Sequence, residues 1–88
     1  MLTKLIQPKD AVVVRNPHIR GGRPVFRGTL VPAEALFKAL SDGYSLGEVI
    51  EAFPALTHAD CRRALIQAGA VLMQVAPEVR PEQAENGA

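Results

Sequence analysis

Residues 16–32 constrain the fold of this 88-residue chain more than any other segment, because they include many residues with unusual backbone properties. The segment holds three glycines, three prolines and three arginines, and it has no acidic residue. Glycine reaches positive φ angles freely, whereas proline fixes φ and lacks an N–H donor. So many glycines and prolines in one segment predict a loop or ribbon with a defined conformation.

The arginines of this segment, Arg20, Arg23 and Arg27, form the first candidate binding site. Their planar guanidinium groups suit phosphate or carboxylate oxygens, so we expect the set to contact DNA or a partner protein. Alternate residues of a strand share one face. We therefore expect Arg23, Val25 and Arg27 to project outward together, while Phe26 faces the other way as an inward anchor.

Two short strands are predicted within a β-ribbon that spans about residues 11–30. The β-branched run 11–15 is closed by Asn16-Pro17, and residues 24–27 form a second strand bounded by glycines. The two strands can form a hairpin or pair with the same strands of a second subunit. An isolated two-stranded ribbon is marginal in water, so it must pack on helices or on a partner.

Three helices are predicted after the ribbon. Pro32 stands where a first helical residue often stands and Gly43 supplies a left-handed cap, which gives a first helix over Pro32–Asp42. Capping boxes at Ser45–Glu48 and Thr57–Asp60 open a second helix and a third, over His58–Ala76. An apolar stripe on the third helix consists of Cys61, Ala64, Leu65, Ala68, Leu72 and Val75.

The sequence therefore predicts a mainly α fold, in which a three-helix domain of the helix-turn-helix type follows a short N-terminal β-ribbon. We expect a single domain over residues 1–76 and a disordered tail over the Pro/Glu-rich residues 77–88.

Charge is distributed unevenly although the net charge is only +1. Residues 1–33 contain six basic residues and one acidic residue, a balance of +5, whereas residues 34–88 contain four and eight, a balance of −4. The basic end indicates a local footprint for an anionic partner. Attraction between the two ends of the molecule, or between protomers, explains the pattern equally well.

The second and third helices are joined by a short connection, which is typical of a helix-turn-helix. In that motif the start of the later helix, here the third, enters the major groove of DNA. The outward candidates at that start are His58, Arg62, Arg63 and Gln67, since arginine can read guanine and glutamine adenine. Asp60 lies among them, and its capping position gives it another role. Helices joined in this way also occur in proteins that never touch nucleic acid.

The C-terminal half of the third helix is apolar nearly all round, which favours a contact with a second subunit or a partner. We assign Ile66, Ala70 and Met73 to this contact and expect a homodimer. Burial of the same residues in the chain's own core is the alternative.

Catalysis and metal binding find little support in the sequence. The chain has one cysteine and two histidines, so no ligand cluster at metal spacing exists, and we expect no metal or cofactor. Cys61 is interpreted as a small core residue, and His18 has no nucleophile or carboxylate placed to pair with it. We expect a non-enzymatic protein of the cytoplasm, without a signal peptide or a membrane span.

An ordered set of short motifs carries a family resemblance over about residues 19–65. The set runs from Gly21-Gly22-Arg23-Pro24-Val25-Phe26-Arg27-Gly28-Thr29 through Pro32, Gly43-Tyr44-Ser45 and Phe53-Pro54 to Leu56-Thr57 and Asp60. In this the chain resembles the four-three-three family of domains of unknown function, often described as VapB-like antitoxins. It departs from the family pattern at Leu30, where a basic residue is frequent, and at Phe26, which replaces an aliphatic residue.

The resemblance implies a homeodomain-like helix-turn-helix fold with a β extension. It also implies an antitoxin that binds and blocks a PIN-like, metal-dependent ribonuclease toxin and represses its own promoter by binding operator DNA. A stand-alone dimeric transcriptional regulator without a toxin is the alternative.

Overall fold

The computed structural model describes residues 9–80. The chain forms two strands, β1 (Val13–Val14) and β2 (Val25–Phe26), joined by a loop that contains a short helical turn at Arg20–Gly22. Three helices follow: α1 (Ala33–Ser41), α2 (Leu46–Ala52) and α3 (His58–Val75). Residues 76–80 are exposed and without regular structure, and most of the tail predicted over residues 77–88 lies outside the described residues. The predicted fold class, a three-helix domain after a short β-ribbon, is confirmed.

The ribbon is formed within one chain, which decides between the two pairings that the sequence left open. β1 and β2 are antiparallel, with Val13 opposite Phe26 and Val14 opposite Val25. The other edge of β2 is paired as well, because the Phe26 N–H donates to the Val31 carbonyl at 3.0 Å. β2 therefore lies between β1 and the segment that leads into α1.

Both residues of β2 are buried, so the predicted alternation of its side chains is only half right. Phe26 is an inward anchor as expected, but Val25 is also about 1% exposed and does not share an outer face with the arginines. A two-residue strand is short enough for the neighbouring loops to cover its second face. Alternation is a reliable signal only where one face of a strand meets solvent.

The three helices begin and end at the signals that the sequence contains. Pro32 is the N-cap of α1 and not its first helical residue, a difference of one position. Gly43 adopts φ +94°, and the Gly43 and Tyr44 N–H groups donate to the Leu40 and Ala39 carbonyls, both at 3.0 Å. These two bonds form the Schellman motif that left-handed glycine permits.

Both capping boxes are present. The Ser45 hydroxyl accepts from the Glu48 N–H at 3.1 Å, and the Glu48 carboxylate accepts from the Ser45 N–H at 2.8 Å. Thr57 and Asp60 make the same reciprocal pair at the start of α3, with both distances 3.0 Å. Each box satisfies amide groups that a helix start leaves without partners.

One core joins the ribbon to all three helices. Its largest fully buried side chains are Phe26, Leu36, Leu56, Val25 and Cys61. Val12, Ala33, Val49 and Ala64 complete it. No helix in the described part of the chain combines the length and the apolar character that crossing a membrane requires.

The stripe predicted on α3 is not a single buried face. Cys61 and Ala64 are buried, whereas Leu65, Leu72 and Val75 are exposed. α3 has eighteen residues, twice the nine of α1. The shorter elements of the core support the first half of α3 better than the second.

Candidate nucleic-acid and partner interface

The connection between α2 and α3 fixes how α3 begins. Leu56, near the end of the connection, is 2% exposed and anchors it in the core. Its N–H donates to the Phe53 carbonyl at 2.9 Å, which closes a tight turn after α2. The connection is therefore a defined turn that ends at the Thr57 cap.

The start of α3 presents basic and aromatic nitrogen groups to solvent. His58, Arg62 and Arg63 are exposed, as the sequence predicted. Arg63 also donates from Nη2 to the Asp10 carbonyl at 3.3 Å, a long bond that leaves most of its donors available. The Asp60 carboxylate accepts from the Thr57 N–H, so the acidic residue in this region serves the helix cap.

Gln67 has a different place from the one predicted for it. Its side-chain oxygen Oε1 accepts from the Val12 and Val13 N–H groups, both at 3.0 Å, and its Nε2 donates to the Val13 carbonyl at 2.9 Å. The carboxamide thus pairs with the outer edge of β1 as a neighbouring strand would. The prediction that Gln67 points outward to read adenine is wrong, because its acceptor oxygen and one of its N–H donors bond to the β1 backbone inside the chain.

The ribbon arginines do not form one cluster. Arg20 and Arg23 line a depression of about 570 Å³ beside the start of α1, together with Glu34 and Phe37. Arg27 lines a separate, open groove between the ribbon and α3. The three arginines therefore do not line one common depression.

Arg20 occupies a backbone conformation that is rare for a residue with a side chain. Its φ is +49°, and Gly21 and Gly22 follow at +64° and +83°. The Arg20 Nε donates to the Leu30 carbonyl at 2.8 Å, which fastens this left-handed turn to the far side of the loop. A left-handed non-glycine residue costs about 1–2 kcal/mol, so the side-chain bond helps to hold a strained turn.

Arg27 and Arg23 differ in their surroundings. The Arg27 Nε donates to the Ala11 carbonyl at 3.0 Å, next to the bond from the Arg27 N–H to the Val12 carbonyl at 2.7 Å. Arg27 therefore helps to hold the two strands in register. Arg23 is exposed and ends the left-handed turn, since its N–H donates to the Arg20 carbonyl at 3.2 Å.

The predicted contact residues of α3 fall into two groups. Ile66 and Met73 are 53% and 67% exposed and lie on an apolar surface. Ala70 is 2% exposed, so the prediction that it contacts a partner is wrong. On a helix of 3.6 residues per turn, Ala70 lies to one side of the Ile66–Met73 line, and the chain itself covers that side.

Cys61 has the surroundings of a core residue. Its side chain is fully buried, and this burial, with a smaller contribution from the Asp60 carboxylate, raises the pKa of the thiol above its usual 9.0. The thiol stays protonated near neutral pH, which is the less nucleophilic form. Within residues 9–80, no three His, Cys, Asp or Glu side chains are placed to hold a metal ion together.

The sequence interpretation missed the structural role of Gln67, although a signal for it exists. Gln67 lies three residues after Ala64, and four before Val71, which is the spacing of one helical face. A polar residue on a core-facing line requires a hydrogen-bond partner. The nearby ribbon, with one strand edge unpaired, was the element able to supply it.

Comparison with known proteins places most of this architecture in one family. Residues 13–68, from β1 into the middle of α3, match the model of a family described as a protein of unknown function (DUF433). The uncharacterized protein y4eO of Sinorhizobium fredii (strain NBRC 101917 / NGR234) is 39% identical over 59 residues, which is 67% of this chain and 27% of that protein. The chain thus spans about a quarter of that relative's length. No solved structure matches the chain.

Proposed function

The chain belongs to the DUF433 family, and we propose that it is a non-enzymatic, antitoxin-like protein that binds operator DNA through the start of α3. The observation that carries this proposal is the surface of the first two turns of α3. His58, Arg62 and Arg63 are exposed there, and the carboxylate of Asp60 is held in the helix cap. That surface offers donors to an anionic groove, and the carboxylate that lies among them is already bonded within the cap.

The arrangement of α2, its tight connection and α3 fits a helix-turn-helix. In that motif the first turns of the second helix contact base edges in the major groove. Arginine there donates two parallel hydrogen bonds to guanine, and lysine or arginine contacts to phosphates supply the affinity. We assign base or phosphate contacts to Arg62 and Arg63, and phosphate contact to His58.

The toxin contact is assigned to the ribbon. Arg20 and Arg23 line one depression, and the Nη groups of Arg20 are not used by its bond from Nε to Leu30. A metal-dependent ribonuclease holds its metal with carboxylates, and guanidinium groups fit carboxylates in a planar, two-point geometry. A PIN-like ribonuclease in the cytoplasm is therefore the partner proposed for this surface.

A second function is favoured by the bonds that the ribbon arginines make within the chain. Arg20 and Arg27 each donate from Nε to a backbone carbonyl, so both have a structural role in the ribbon. If these arginines only stabilise the ribbon and contact no toxin, the protein is a stand-alone dimeric transcriptional regulator.

The DNA contact is tested by measuring affinity for the duplex upstream of the protein's own coding region at several salt concentrations. We expect the logarithm of affinity to fall linearly with the logarithm of salt concentration. Arg62→Ala with Arg63→Ala should weaken binding by about 10-fold or more, since each good base contact is worth ~1–3 kcal/mol. The dependence of the logarithm of affinity on the logarithm of salt concentration should also become less steep.

A matched control removes the same charge elsewhere. Arg15→Ala with Lys38→Ala takes two positive charges from the ribbon end and from α1, and Lys38 has only an exposed ion pair with Asp42 to lose. We expect this control to bind DNA nearly as the unchanged protein does. Equal loss in the two double variants, or no salt-dependent binding at all, would refute the assignment to α3.

The toxin contact has its own test, independent of DNA. Tagged protein is captured from nuclease-treated extract of its native cells, and the retained proteins are identified by mass spectrometry. Near-equal recovery of one small ribonuclease-like protein, lost with Arg23→Ala, supports the antitoxin function. Recovery of the tagged protein alone supports the stand-alone regulator.

A further inference from the structure

The second half of α3 bears an apolar surface that we call the seam. It consists of Leu65, Ile66, Gly69, Leu72 and Met73, whose spacing of three, four and seven residues places them on one face of the helix. The four large side chains are between 37% and 67% exposed. Helix α3 has no charged residue after Arg63, so the seam is uninterrupted to the end of the helix.

Gly69, in the middle of the seam, has no explanation within the chain. Its φ is not in the left-handed region, and a Cβ built on it would meet no atom within 4 Å. Alanine would therefore fit there, and alanine favours a helix more than glycine does. What glycine offers at a helical position with open space beside it is close approach by another backbone.

The large residues on either side of Gly69 are arranged symmetrically about it. Leu65 and Met73 lie four residues before and after Gly69, and Ile66 and Leu72 lie three before and after. Two copies of α3 that cross at Gly69 in opposite directions therefore bring Leu65 of each against Met73 of the other. Such a surface is complementary to itself, as a two-fold interface requires.

Charge favours the antiparallel direction over the parallel one. The last turn of α3 has no basic residue, so the partial negative charge of its exposed carbonyl groups is not compensated within the helix. Arg62 and Arg63 lie seven and six residues before Gly69, and the end of the helix lies the same distance after it. An antiparallel copy brings these cations towards that end, whereas a parallel copy brings Arg62 towards Arg62.

We propose that the seam binds a second copy of this chain, with the two α3 helices antiparallel and crossing at Gly69. A separate apolar groove of about 440 Å³ lies on the neighbouring face of α3, where Val13 and Phe37 line it, and meets the seam only at Leu72. Arg63 lies six residues before Gly69, about 120° around the helix from the seam, and stays accessible at both ends of the pair.

The first test measures association in the absence of DNA, by sedimentation over a concentration series. We expect a dimer for the unchanged chain at micromolar concentration and a monomer for Met73→Glu. Val79→Glu is the matched control, because Val79 is nearly as exposed as Met73 but lies beyond the helix. A monomeric unchanged chain at about 100 μM, or a dimeric Met73→Glu variant, would overturn the proposal.

Gly69→Ala distinguishes close packing of the two helices from nonspecific hydrophobic association. In a lone chain this substitution should leave helix content unchanged or raise it, since the site has open space and alanine favours the helix. In the proposed dimer the added methyl group holds the helices apart, and we expect association to weaken by about 10-fold. Unchanged association would remove Gly69 from the interface.

Direction is tested by disulfide formation between variants that each carry one added cysteine. Leu65→Cys mixed with Met73→Cys should cross-link to each other faster than either variant does to itself. Native Cys61 does not interfere, because it is buried. Faster self-linking of Leu65→Cys would demonstrate a parallel pair and contradict the proposed geometry. These experiments use no DNA, so a failure here leaves the test of DNA binding unaffected.

Discussion

Gln67 attaches the ribbon to α3 with one carboxamide group. The group satisfies two N–H donors and one carbonyl at the edge of β1, where a third strand would otherwise be needed. Polar backbone groups at a partly covered strand edge are costly when they lose their partners. This side chain therefore helps to hold the two-stranded ribbon, which is marginal alone, on the helices.

Replacing Gln67 by leucine should destabilise the protein, since leucine has a similar size but no hydrogen-bonding group. We expect the free energy of unfolding to fall by about 1–3 kcal/mol, the usual result of leaving partly buried donors unsatisfied. Urea denaturation measures the change. Gln74→Leu, at an exposed position two turns later on the same helix, is the control and should stay within about 0.5 kcal/mol. Equal effects of the two variants would show that the Gln67 bonds contribute nothing.

At the scale of secondary-structure elements, local residues set the helix boundaries. Both capping boxes lie at the helix starts, and the Schellman motif at Gly43 ends α1. Short helices of nine and seven residues are marginal in water without tertiary contacts. Their end groups therefore matter to stability as well as to position.

Two glycines only four residues apart should respond to alanine in opposite ways. Gly43 has φ +94°, so Gly43→Ala should lower the free energy of unfolding by about 1–2 kcal/mol. Gly47 is helical, and the nearest atom to an added Cβ is the Ser45 hydroxyl at 3.8 Å, so Gly47→Ala should raise it by up to ~1 kcal/mol. Thermal unfolding followed by circular dichroism gives both signs. Stabilisation by Gly43→Ala would contradict the assigned left-handed cap.

At the scale of the whole molecule, the ribbon and the helices share a single core. Phe26 of β2 is buried in the same cluster as Leu36 of α1, Val49 of α2 and Cys61 of α3. A domain of this size buries a modest fraction of its surface, so a single large side chain contributes much of the stability. The ribbon and the helices should therefore unfold together.

Phe26→Ala tests that cooperativity. We expect a loss of about 3–5 kcal/mol, a large part of the total for a small domain. The helical circular dichroism signal and the amide protection of β1 should decrease at the same urea concentration. Leu30→Ala is the control, because Leu30 is 66% exposed and should change stability little. Helices that persist after the ribbon has lost protection would show that the core is divided.

The sequence by itself determined the elements and most of their boundaries. Ser45, Thr57 and Gly43 act on amides and carbonyls within a few residues, so their effects can be read without the fold. The inward position of Phe26 and the core position of Cys61 were predicted for the same local reason, from the pattern of neighbouring residues. The exposure of His58, Arg62 and Arg63 also follows from the face opposite Cys61 and Ala64.

Only the tertiary structure decided which elements meet. Gln67 and Val13 are 54 residues apart, and no local pattern specifies that a glutamine amide will complete a strand edge. The separation of Arg27 from Arg20 and Arg23 depends on where the loops cross, and the burial of Ala70 depends on what covers that side of α3. Capping and turn formation are short-range, whereas burial and pairing depend on the whole arrangement of the chain in space.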